Sequence, residues 1–281
     1  VSSYDTWGNA YDVVVSGKYA YVADGSAGLW LIGVTDPTRP AAVGRCDTPG
    51  TARGVAVAWP YVYVADDSGG LRVVNISNPI LPMEMGHCDE VQRAYDVVVA
   101  GSYAYVAGKH KTLCVVDISM PATPTLVACY GVYLDGIGVA VVGNYAYVAA
   151  DSSGLRVVDV SDPANPTEMS FYNTPGSAAS VAVAGGRAYV ADGSRGLRVV
   201  VVSNPAAPAE LGSYETPADA TGVVVTGDYA YVANRAGGLW VVDILNPAVP
   251  VGLGFYDTPG YAYGLTVVGD YAYVAAYGSG L

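Results

Sequence analysis

The chain has 281 residues, is 52% hydrophobic and only 14% charged, and carries a net charge of −12 at pH 7, with a pI of about 4.3. This balance excludes a nucleic-acid partner, which needs a basic face, and suits an acidic, soluble, outward-facing protein. A membrane-spanning helix is excluded as well, because the uninterrupted apolar runs stop far short of the roughly 18 residues such a helix needs.

In chain order, Val1 to Thr6 (VSSYDT) reads as a short strand whose twin occurs later as Val43 to Thr48. Tyr11 to Ser16 follows and ends at the turn pair Gly17-Lys18. Tyr19 to Ala23 (YAYVA) comes next, then a Gly/Ser turn. Leu29 to Thr35 ends at Asp36-Pro37-Thr38-Arg39-Pro40, and Ala41 to Cys46 runs into Asp47-Thr48-Pro49-Gly50. Short runs rich in Val, Ile and Tyr between Gly, Pro and Asp predict strands. No segment sustains the apolar period of a helix.

The motif around Tyr21 then recurs at Tyr63, Tyr105, Tyr147, Tyr189, Tyr231 and Tyr273, each 42 residues after the last, with no insertion or deletion. Four antiparallel strands in a strict repeat of about 40 residues make the blade of a β-propeller. The expected fold is an all-β, seven-bladed β-propeller forming a single domain over residues 1–281, with the runs at Val13, Val55, Val97, Val139, Val181, Val223 and Leu265 innermost. A blade is sandwiched between two neighbours, which explains runs that are apolar on both faces. Tyrosine is the second clue, with 24 Tyr against 2 Phe. Tyr21 and its counterparts are expected to fill the gaps between blades, their hydroxyls near the rim; ligand stacking is the alternative.

The third strand and its turn read Leu155-Arg156-Val157-Val158-Asp159-Val160-Ser161-Asp162-Pro163-Ala164-Asn165-Pro166. This closely resembles the LVIVD repeat, a propeller-forming repeat of bacterial and archaeal surface proteins. Leu113 to Asp117 and Leu239 to Asp243 are further copies, whereas Gly33, Asn75 and Val201 stand where those copies carry Asp. A spaced Pro pair recurs six times, from Pro37 and Pro40 to Pro247 and Pro250. The resemblance covers essentially the whole chain. It implies the fold and an extracellular or cell-surface location, and it implies little about activity. The signatures of WD repeats are absent.

The two ends share the seventh blade. Val1 to Thr6 aligns with a fourth strand, and Gly280-Leu281 aligns with Gly238-Leu239, where a third strand begins. The N-terminal strand is therefore expected to close the ring, and the seventh blade to lack its third strand. The open slot exposes unpaired backbone groups. Either the chain is a fragment of a longer protein whose next residues fill the slot, or a strand from elsewhere adds there and drives self-association.

Four cysteines are too few for a disulfide framework. Cys46 and Cys88 occupy equivalent outer strands of neighbouring blades, too far apart to bridge. Cys114 and Cys129 flank one turn and face each other or lie one step off, so a disulfide and buried free thiols both remain open. His87 and His110 lie in no metal or catalytic motif. No EF-hand loop or phosphate-binding Gly-rich loop occurs, and Asp66-Asp67 and Asp151 read as turn residues. No metal, no cofactor and no catalytic residue is expected, so the chain is read as not an enzyme.

Where the repeats disagree, recognition has room. One loop position reads Asn9, Thr51, Arg93, Asp135, Ser177, Asp219 and Tyr261; two residues on, the series is Tyr11, Arg53, Tyr95, Ile137, Ala179, Thr221 and Tyr263. Both are placed in the loop from the fourth strand to the innermost strand, around the mouth of the central channel. Loops between second and third strands open onto the same face and include the basic cluster Lys109-His110-Lys111. The candidate ring is Asn9, Thr51, Arg53, Arg93, Asp135, Ser177, Asp219 and Tyr261; drift at exposed positions is the competing reading. The leading function is a structural or protein-interaction module. The alternatives are a small-molecule or glycan binder at the channel mouth, and a hydrolase or lyase on the same face.

Overall fold

The structure, a computed structural model, describes residues 1–131 and 134–281. Among these residues it is all β, with no helix. Six four-stranded antiparallel sheets and one two-stranded sheet follow each other in chain order, each with its strands in sequence order. Blade one is Asp12–Ser16, Tyr19–Ala23, Leu29–Gly33 and Ala41–Cys46. Blade seven consists of Tyr261–Val268 and Tyr271–Tyr277. The first strand of each blade contacts the first strands of its neighbours, so these seven line the channel as expected.

The local chemistry explains the hairpins. Strands one and two are joined by two residues, and the first is a glycine at positive φ in six of the seven blades, from Gly17 (φ 62°) to Gly269 (φ 59°). That is the conformation the tight hairpin turn demands and glycine supplies without strain. Blade two uses Trp59-Pro60, with a cis peptide bond, at the same place. Between strands three and four every complete blade shifts register once, as at Leu31/Ile32. The extra residue is a bulge that increases the twist of the outermost strand.

Burial follows the sandwich. Tyr21, Leu29 and Leu31 of blade one pack on Val55, Val62, Val64 and Val74 of blade two. The same cluster repeats around the ring, with Tyr63, Tyr105, Tyr147 and Tyr189 in the place of Tyr21. These tyrosines are interblade filler. Tyr231 and Tyr273 are only partly buried, because the seventh blade offers less to pack against.

Outer strands show one further regularity. At one register position between strands three and four, the facing side chains carry different chemistry in each complete blade. Trp30 faces Arg45, whose guanidinium lies 5.7 Å from its ring. Arg156 covers Phe171 at 4.5 Å. Trp240 stacks on Phe255 at 5.1 Å. In blade three the pair is Cys114 and Cys129, joined by a disulfide of 2.04 Å. Cys46 and Cys88 are free and buried.

The N-terminal segment closes the ring, although it does not extend into a ladder. Tyr4 N–H donates to Leu281 O at 2.8 Å, and Leu281 N–H to Tyr4 O at 2.9 Å. This reproduces the Leu29↔Cys46 pair that opens the ladder between strands three and four of blade one. Ser2 to Thr6 forms no regular strand, unlike the strand the sequence predicts, and its pairing with the third-strand position is the Tyr4–Leu281 pair. Beside Leu281 a cleft of about 560 Å³ is lined by Val1, Ser3, Pro37, Tyr256, Tyr271 and Tyr273.

Candidate functional site

The loops that lead into blades one, two and five are held by buried carboxylates. Asp24 accepts Thr6 Oγ1 (2.6 Å) and Gly8 N (2.8 Å). Asp66 accepts Thr48 Oγ1 (2.6 Å) and Gly50 N (2.8 Å), and Asp192 treats Thr174 and Gly176 in the same way. All three residues are fully buried. Burial raises their pKa values, against the lowering effect of these donors. A sequence reading of Asp66 as a turn residue misses this clasp, whose partner lies 18 residues upstream. A second tie crosses between blades: Gly25 pairs with Ala52, Asp67 with Ala94, Asp151 with Ala178, Gly193 with Ala220 and Arg235 with Ala262. Together these fix the loops around the channel mouth and bring the second-to-third-strand loops onto the same face.

Within that frame the channel opens into a cavity of about 380 Å³. One position near the start of the innermost strands reads Asp12, Gly54, Asp96, Gly138, Ser180, Gly222 and Gly264 around the ring, and six of these seven residues line the cavity. Five of the seven are Gly or Ser; a Cβ at Gly54, Gly138, Gly222 or Gly264 would lie 2.5–2.8 Å from the neighbouring blade's backbone, so the glycines let the blades approach closely. The other two project carboxylates across to the next blade: Asp12 accepts Val55 N at 3.0 Å, and Asp96 accepts Val139 N and its own neighbour Val97 N, each at 2.8 Å. Burial pushes the Asp12 carboxyl up to about 6. Burial, with repulsion from Asp12, pushes Asp96 up to about 7.

Above these carboxylates lies an arc of rings and guanidinium groups. Arg53 is sandwiched between Tyr11 (5.1 Å) and Tyr95 (4.9 Å), one from each neighbouring blade, and its Nε donates to Asp67 at 2.9 Å. Tyr11 continues the arc to Tyr263 and Tyr277, with centroids 5.3–5.5 Å apart. Arg235 lies over Tyr263 at 5.5 Å and pairs with Asp219 at 3.2 Å. The remaining wall is Ile137, Ala179 and Thr221. The tyrosine rings, the two acids and the guanidinium groups give the cavity apolar faces, acceptors and donors together, whereas Thr221 Oγ1 donates to Ala262 O at 2.9 Å.

Of the predicted ring, Arg53 alone lines this cavity. The other seven precede the buried residues Ala10, Ala52, Ala94, Gly136, Ala178, Ala220 and Ala262 and sit outside the cavity, as a rim. Asn9 and Thr51 are half-buried, and Thr51 N–H donates to Asp66 O. Arg93 is exposed at φ 56°. Asp135 accepts His110 N at 3.0 Å. Ser177 is exposed, Asp219 holds Arg235, and Tyr261 is 54% exposed. Tyr95 and Tyr263 also belong to strands, since the innermost strands of blades three and seven start early, at Ala94 and Tyr261. Lys109-His110 forms the hairpin turn of blade three, and Lys111 Nζ donates to Glu90 O. His87 is an exposed outer-strand residue beside Glu84, at 3.1 Å. Asp12 and Asp96 are the residues sequence reasoning missed; the Asp/Gly alternation of their column was the readable signal. Among the described residues, no group of three or more His, Cys, Asp or Glu is placed to hold a metal ion, and no helix is long and apolar enough to cross a membrane.

Solved structures match this architecture. The computationally designed Ika8 protein aligns with a TM-score of 0.72 at 10% identity, over 99% of this chain and 96% of that one. The β-propeller domain of Myceliophteria thermophila Cps50 (Swd1) aligns with a TM-score of 0.73 at 11% identity, over 94% and 91% of the two chains. At such identities the likeness is one of fold. No curated protein matches the chain in sequence. The family model of the LVIVD repeat matches seven times, over residues 7–48, 49–90, 93–132, 135–174, 175–216, 217–258 and 259–281. With its repeats matched one by one around the ring, the chain belongs to the LVIVD-repeat family.

Proposed function

We propose that the chain is a non-catalytic interaction module of the cell exterior whose recognition surface is the channel mouth. One observation carries this reading: a backbone of near-sevenfold regularity is lined there by residues that are not repeated. A scaffold needs only small residues at the channel column, yet Asp12 and Asp96 stand among Gly and Ser, and Arg53 is held between two tyrosines. A planar guanidinium stacked on both faces is pre-organised for recognition. Acidity and the Cys114–Cys129 disulfide favour an oxidising, extracellular setting. The cavity volume falls within the range of small-molecule sites, and this supports the second reading, a small polar ligand or the end of a glycan chain.

The test is a screen of peptides, glycans and small polar molecules against ¹⁵N-labelled protein, followed by NMR. Ligands should shift the amides of Arg53, Tyr95, Asp96 and Thr221. Arg53→Ala and Tyr95→Ala should each weaken binding. Shifts confined to the Pro-rich turns at Pro37–Pro40 and Pro247–Pro250 would sink the assignment.

A further inference from the structure

The cavity distributes its charges unevenly. Both of its guanidinium groups already have carboxylate partners: Arg53 has Asp67 at 2.9 Å, and Arg235 has Asp219 at 3.2 Å. Asp12 and Asp96 have none. Among the described residues no basic nitrogen lies within 4.0 Å of either, and the groups that donate to them are backbone N–H groups. The tyrosine rings of Tyr11, Tyr95 and Tyr263 border the same space, and aromatic faces attract cations. Gly138, Ser180, Gly222 and Gly264 line it beside the two acids and bring no charge.

We propose that the channel mouth binds an ammonium group, which enters between Asp12 and Asp96 under the tyrosine arc. This rests on the channel mouth being the recognition surface. An ammonium ion supplies what the two acids lack, a compact charge with several donors. An anion is disfavoured, because Arg53 Nε is occupied and the deeper charges are negative. A neutral sugar would leave the mutual repulsion of the acids unrelieved. Burial raises the pKa values of Asp12 and Asp96, with repulsion from Asp12 adding to Asp96, and a cation bound between them should lower both and release protons. The other titratable groups facing them are Tyr11, Tyr95, Tyr263, Arg53 and Arg235; at pH 5–8 the acids dominate the titration.

The experiment is titration of the 281-residue protein with n-butylammonium chloride and with the peptide acetyl-Gly-Lys-Gly-amide, at pH 8 and pH 5, followed by NMR and calorimetry. Both should bind one to one at pH 8, with affinity falling about tenfold or more at pH 5 as the carboxyls protonate. Asp12→Asn and Asp96→Asn, which keep an acceptor for the backbone amides, should each weaken binding about tenfold and flatten the pH profile. Tighter binding of the peptide would identify a lysine side chain of a protein partner as the source; equal binding would identify a small amine. No binding at pH 8, or binding unchanged in the double Asn variant, overturns the inference. Uncharged methyl glucoside binding over Arg53 and Tyr95 without pH dependence would overturn the ammonium while leaving the recognition surface intact. Ligands that shift only the opposite face remove both.

Discussion

Asp24→Ala is the most direct test of how the ring is closed. Asp24 is fully buried and accepts two hydrogen bonds from the N-terminal segment, from Thr6 Oγ1 at 2.6 Å and Gly8 N at 2.8 Å. Truncation leaves both donors without the acceptor. A buried donor stripped of its partner costs about 1–3 kcal/mol, so the loss is roughly 2–6 kcal/mol, a large fraction of the stability of a typical domain. Thr6→Val removes one of the two bonds and should cost about half as much. The ring contains its own controls. Asp66→Ala should cost a similar amount, since it breaks the same pair of bonds to Thr48 and Gly50. It does so between continuous blades, where the loop stays tethered on both sides. Only Asp24→Ala should also release the chain end. Blade six shows the natural alternative: Asn234 stands at this position, and Thr216 turns its hydroxyl to Ala218 O instead. Urea unfolding by tryptophan fluorescence gives the energy, and Trp7, in edge contact with Trp30 at 5.2 Å, reports on the segment itself. Hydrogen exchange at Tyr4 and Leu281 reads the closing pair. A loss below about 0.5 kcal/mol, or a large loss with Tyr4 still protected, would refute the clasp.

Stability should also respond to pH through the channel acids. Asp12 and Asp96 rise from 3.8 to about 6 and about 7 in the folded protein. The native state therefore binds more protons than the unfolded chain, and the contribution of these acids is full below about pH 4 and lost as pH rises through 7. Urea midpoints measured from pH 4 to 8 should show this fall flattened in the Asp12→Asn/Asp96→Asn variant; an unaltered profile would contradict the burial of these groups. Replacing Cys114 and Cys129 by Ala opens a loop of 15 residues, worth up to about 3 kcal/mol in chain entropy. Calorimetry should register a lowered Tm, and the other blades predict that an Arg–Phe pair at these positions would recover part of it. Gly54→Ala should destabilise by about 1–3 kcal/mol, because a Cβ there would lie 2.7 Å from Asp96 Cα and 2.8 Å from Tyr95 O; wild-type stability would mean that blades two and three can separate at no cost.

The repeat spacing, the strand pattern and the interblade role of Tyr21 were legible in the chain alone. Each rests on local rules, the turn glycines and the alternation of Val and Tyr, repeated until chance was excluded. The seventh blade's composition was legible for the same reason, since Val1 to Thr6 and Gly280-Leu281 carry their place in the repeat. The facing of Cys114 and Cys129 followed from the hairpin, but the bridge did not, because buried thiols fit the same register. What the sequence left open was depth. Asn9, Arg93 and Tyr261 vary as freely as Arg53, yet only Arg53 reaches the cavity, because the others stop one residue before the buried alanine that pins each loop. Asp12 and Asp96 hid at the start of strands that read as scaffold. Their partners, Val55 and Val139, lie one blade further on. That neighbour relation exists only when the ring closes, so tertiary structure alone turned a column of Asp, Gly and Ser into two facing carboxylates inside a channel.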